Sequence, residues 1–73
     1  MRDKNFEELA NAIVLQAAKD YRAARRELKR HPKSKEAPRM MKECERFFLS
    51  EWFVALTSID GGGLLKKLQE EEI

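Results

Sequence analysis

The sequence is short of the residues on which most small catalytic or metal-bound folds depend. It has one cysteine, Cys44, and one histidine, His31. One thiol excludes an intrachain disulfide, and one thiol with one imidazole excludes a Cys/His metal cluster. Cysteine usage of this kind fits a reducing compartment. Two prolines and three glycines in 73 residues are too few for a loop-rich or low-complexity chain. No run of 18 apolar residues occurs, because Ser50, Glu51, Thr57 and Ser58 interrupt the densest tract, Phe47 to Ile59. A transmembrane helix is therefore not expected. The opening MRDKNFEELA carries acids and has no signal-peptide hydrophobic region, which makes a cytoplasmic protein the default expectation. At 8.6 kDa there is room for one modest core and none for a large buried active site. The expectation is a single small domain over residues 1–73.

What is present is helical periodicity. Phe6, Leu9, Ile13, Ala17, Tyr21, Ala24 and Leu28 recur at steps of three and four, which predicts one helix from about Phe6 to Arg30 with these residues on its core stripe. Ala10, Val14 and Ala18 broaden that stripe. Asp3 or Asn5 is the expected cap, and Lys29, Arg30 and His31 suit the last turn before Pro32. Ser34 then caps a second helix starting around Lys35 to Ala37, whose apolar stripe is Ala37, Met40, Met41, Cys44, Phe47 and Phe48. The favoured reading runs this helix on to Leu56, with a bend near Ser50. The short polar connection predicts antiparallel packing of the two helices. Asp60 is a third cap, Gly61, Gly62 and Gly63 allow a sharp turn, and Leu64, Leu65 and Leu68 mark a short last helix fraying at Glu70 to Glu72. The predicted fold is all-α: an antiparallel helical hairpin plus a short C-terminal helix.

Charge is distributed unevenly. The net charge is +2, yet residues 18–42 hold ten basic and three acidic side chains, a local +7, whereas residues 43–73 carry −4. Lys19, Arg22, Arg26 and Lys29 fall on the face of the first helix opposite Tyr21, Ala24 and Leu28, so the hairpin tip is basic. Such a face is first of all a solvated one; nucleic-acid binding, and an acidic protein partner or self-association of basic tip with acidic tail, are the alternatives. No helix-turn-helix, zinc-finger or RNA-binding motif accompanies it.

Chemistry-bearing residues are sparse. His31 sits at a helix end, where its role is electrostatic. Cys44 lies on an apolar stripe, as an inert buried thiol does. Glu43, Glu45 and Glu51 form no recognisable acid–base or metal set. Asp60-Gly61-Gly62-Gly63 lacks the lysine and hydroxyl of a phosphate loop. No enzyme and no cofactor is expected. The notable cluster is aromatic: Phe47, Phe48, Trp52 and Phe53 fall within seven residues. Most belong to a core, and Phe48 with Trp52, four residues apart, are the first candidates for an exposed contact face.

Two strings, AIVLQAAKDYR (Ala12 to Arg22) and CERFFLSEWFVALTSIDGGGLLKKL (Cys44 to Leu68), resemble small uncharacterised proteins of phages and prophages of Gram-positive bacteria. The likeness covers about half of the chain and centres on Phe47-Phe48, Ser50, Trp52-Phe53, Leu56-Thr57 and Asp60-Gly61. Gly62 and Gly63 depart from the bulkier or charged groups of those proteins. The resemblance brings no active site. It implies stoichiometric binding to host or phage machinery, including opposition to a host defence protein. The leading expectation is thus a protein-interaction module, a regulator or inhibitor, using Phe48 and Trp52 with Arg22, Arg26 and Arg39. The alternatives are nucleic-acid binding through Lys19, Arg22, Arg26 and Lys29, and a structural homo-oligomer.

Overall fold

A computed structural model describes residues 4–72. Its four helices are α1 (Lys4–Arg30), α2 (Glu36–Phe48), α3 (Glu51–Leu56) and α4 (Gly61–Glu70). α1 and α2 form the expected antiparallel hairpin and make the most extensive helix–helix contact, with α4 packed against both. No strand occurs among the described residues. Among the described residues, no helix is long and apolar enough to cross a membrane. At 1.5 Å per residue, α1 is about 40 Å long, and it sets the 46 Å long axis of a body only 20 × 19 Å across.

The hairpin turn follows its local chemistry. α1 stops where Pro32 cannot continue it, and His31 N–H still donates to the Glu27 carbonyl at 2.8 Å. Ser34 Oγ accepts from Ala37 N–H at 3.2 Å, the cap expected of it. Of the two caps proposed for α1, Asp3 lies outside the described residues, and Asn5 is already inside the helix.

The continuous second helix is not observed. α2 ends at Phe48, and Ser50, in extended conformation, starts α3. Its hydroxyl serves both sides of the break, donating to the Phe47 carbonyl at 2.7 Å and accepting from Phe53 N–H at 3.2 Å. The reason is geometric. In an unbroken helix, Phe48 and Phe53 would point about 140° apart. The break brings both into one core, where they are 2% and 0% exposed. Their rings meet edge to face at 5.7 Å, and Phe47 and Tyr21 extend the cluster. The same break ends the face that Phe48 and Trp52 were expected to share. Phe48 is a core residue, not a partner contact, and Trp52 turns outward at 66% exposure.

Burial along α1 is rotated from the expected stripe. Ala10, Val14, Ala18, Tyr21 and Ala24 are its buried residues. Phe6 and Leu9 are exposed, and Ile13 is half-buried. The small side chains face the other helices because they permit close approach, Ala10 lying beside Leu56 and Thr57, which displaces the large ones to the flank.

The glycine string forms the first turn of α4 rather than a loop, with no positive φ. Asp60 occupies the N-cap position, but its side chain makes no cap hydrogen bond. Its carboxylate acts there through charge. Gly61 is required by contact. A Cβ at this position would lie 1.8 Å from the Phe48 carbonyl oxygen and 3.0 Å from the Phe53 ring. The start of α4 is pressed against the end of α2, and only a residue without a side chain fits. A Cβ at Gly62 would meet nothing closer than 3.6 Å.

The two sites therefore respond in opposite senses to one substitution. Gly61→Ala forces backbone apart and is expected to cost about 2 kcal/mol or more, lowering Tm by roughly 10 °C for a domain this small. Gly62→Ala is expected to stabilise by up to about 1 kcal/mol through helix propensity. Thermal denaturation followed by circular dichroism checks both; equal effects would contradict the contact.

Candidate partner-binding surface

The basic side chains expected to share a role are divided by the fold. Arg22 Nε donates to both Glu71 carboxylate oxygens, at 2.8 and 3.2 Å. This pair is more than a third exposed and contributes on the order of 0–1 kcal/mol. Arg25, one turn on, donates from a guanidinium nitrogen to the Leu68 carbonyl near the end of α4. Arg22 and Arg25 thus fasten α4 to α1, a role the sequence pattern did not indicate. Lys19, Arg26, Lys29 and Arg39 remain exposed around the hairpin tip.

Two titratable groups sit in the core. The Tyr21 hydroxyl donates to Glu45 at 2.8 Å, joining α1 to α2. Burial first, then the Glu45 hydrogen bond, raises its pKa, while Gln69 and Arg25 act in the other direction. Burial also raises the Cys44 thiol, reinforced by the negative charges of Asp20, Glu43 and Glu45. The thiol is held protonated, as expected of an inert core cysteine. Among the described residues, no group of three or more His, Cys, Asp or Glu side chains is placed to hold a metal ion.

The surface that stands out is apolar. Phe6, Leu9 and Ile13 of α1 face Trp52, Ala55 and Leu56 of α3 across a groove of about 310 Å³. Leu9 is 61% exposed, nearly as open as Trp52. Trp52 is exposed, as expected, but Phe48 is buried and is not its companion. Its neighbours across the groove are Phe6 and Leu9, which the periodicity had assigned to the core. Three- and four-residue spacing identifies an apolar face without stating whether a neighbouring helix covers it. No protein family, curated protein or solved structure matches this chain, so the surface is judged on its own side chains.

The raised pKa values of Tyr21 and Cys44 make the fold less stable at alkaline pH. Folded Cys44 and Tyr21 keep their protons above the ordinary values of 9.0 and 10.0, so their contribution is complete below pH 9 and is lost as pH rises past those values. Stability is expected to fall above about pH 9. Tyr21→Phe should flatten the fall beyond pH 10 while costing about 1 kcal/mol at neutral pH through the lost hydrogen bond. Denaturant midpoints measured from pH 7 to 11 test both statements.

Proposed function

We propose that this chain is a non-catalytic protein-interaction module that acts in the cytoplasm by occluding a surface of its partner. The resemblance to phage and prophage proteins supports an accessory regulator or an inhibitor of a host defence protein. The observation that carries the reading is the apolar groove formed by Phe6, Leu9, Ile13, Trp52 and Ala55. A chain of 73 residues has little apolar material to spare. Leaving its only tryptophan two-thirds exposed beside an open leucine is the arrangement of an interface anchor. The exposed basic side chains at the tip, Arg26 and Arg39 among them, steer an acidic region of the partner toward the module. Arg22, held by Glu71, contributes through α4 and not through the partner.

The test is capture from an extract of the native host. Trp52→Ala and Leu9→Ala together should leave the helical spectrum intact and reduce retention of the partner by 10-fold or more, as loss of interface anchors does. Undiminished retention by the folded double variant would reject the groove as the interface. The nucleic-acid alternative draws on exposed Lys19, Arg26 and Lys29. It requires DNA or RNA affinity that drops steeply with salt and weakens when these three become Gln. A self-association constant measurable by sedimentation, and lost with the same groove variant, would instead support the oligomer.

A further inference from the structure

The groove does not end at α3. Ile13 also lines a second depression with Ala17, Asp20 and Phe47. Asp20 in turn lines a third with Ala23, Glu27, Glu36 and Met40. The three depressions neighbour one another through these shared residues and lie in file along the flank of α1, with α3 and then α2 on the other side, and we treat them as one furrow. From Phe6 to Glu27 it runs about 32 Å.

Three properties of the furrow point to one occupant. Its floor is apolar at helical spacing from Phe6 through Leu9 and Ile13 to Ala17, with Ala23 and Ala24 beyond Asp20. Its charged side chains are acidic: Asp20, Glu27 and Glu36 line it, and among the described residues no lysine or arginine does. This is notable in a chain with 15 basic and 13 acidic residues. The furrow also lies across α1 from α4. Arg22 and Arg25, which hold α4, stand roughly 140–160° around the helix from Asp20. The α1–α2 pair therefore carries a packed helix on one side and an unfilled seat on the other.

We infer that the furrow binds an amphipathic α-helix of a partner protein, with an apolar stripe flanked by lysine or arginine. This rests on the interaction reading and names the chemistry of the partner. A helix between two antiparallel helices matches the ridge-and-groove geometry of the seat, and basic flanks complement Asp20, Glu27 and Glu36. A second copy of this chain does not offer such a helix on its surface: the Leu64, Leu65 and Leu68 stripe of α4, beside Lys66 and Lys67, is turned into its own core. The exposed side of α1 has Leu15 beside Lys19 and Arg26, and the exposed side of α2 carries Arg39, Lys42 and Arg46. Neither presents a basic face with an apolar stripe.

The probes are two synthetic helical peptides of about 18 residues, five turns. One has Leu at i, i+3, i+4 and i+7 with Lys elsewhere, and its twin has Glu in place of Lys. Binding is read by fluorescence anisotropy of the labelled peptides. The Leu/Lys peptide is expected to bind at least 10-fold tighter, although the protein itself has a net charge of +2. The combined Asp20→Asn, Glu27→Gln, Glu36→Gln variant should erase that preference. Neutralising Glu70 and Glu72, outside the furrow, should leave it unchanged. Leu9→Ala with Trp52→Ala should weaken both peptides. Equal binding of the twins, a preference for Leu/Glu, or a preference that survives the triple variant would overturn the assignment. If no peptide binds while capture from host extract still depends on Leu9 and Trp52, the basic helix is wrong and the interaction reading stands. Failure of both removes both.

Discussion

Phe48 and Phe53 must enter the same core from positions that an unbroken helix would turn far apart. The structure solves this between Leu49 and Ser50, and much of the molecule follows from the solution. Ser50 secures the break by bonding to both flanking helices. The freed end of α2 then receives α4, whose first residue lies too close to the Phe48 carbonyl to bear a side chain. One local interruption thus sets the direction of α3, the position of α4 and the identity of residue 61. It also releases Trp52 from the core stripe to the rim.

The hairpin is consequently asymmetric. One side is sealed by α4, with Tyr21 bonded to Glu45 in the interior and with Arg22 and Arg25 holding the last turns from outside. The other side is apolar and acidic along its furrow, while the tip and outer faces are basic. A near-zero net charge conceals three surfaces of different character. On the reading proposed above, their separation would let one small body steer toward an acidic region of a partner and seat a basic helix elsewhere without the two functions competing.

Much of the fold is legible in the sequence, for physical reasons that also mark where legibility stops. The hairpin turn is fixed by Pro32 and Ser34, whose effects are local, and both act as expected. The all-α class follows from periodicity sustained over long segments. The break at Ser50 was visible as a capping residue inside an apolar tract, but choosing between a bend and a stop required knowing that Phe53 has to reach Phe48. The three glycines read locally as a turn. Gly61 is instead dictated by a carbonyl thirteen residues earlier, and sequence spacing does not report such a contact. For the same reason Trp52 was identifiable as a surface candidate, whereas Leu9 and Phe6 were not. Nothing in α1 itself records that α2 ends before reaching them.

The position of Trp52 also determines what light can report. The only tryptophan of the chain stands outside the core at 66% exposure, so its emission is expected to shift little when the chain unfolds. Unfolding changes its surroundings little. Occupation of the furrow, as proposed above, would change them much more. The intrinsic fluorophore of this molecule is thus a gauge of occupancy rather than of folding, and the cooperative transition of the core has to be followed through the backbone or through Tyr21.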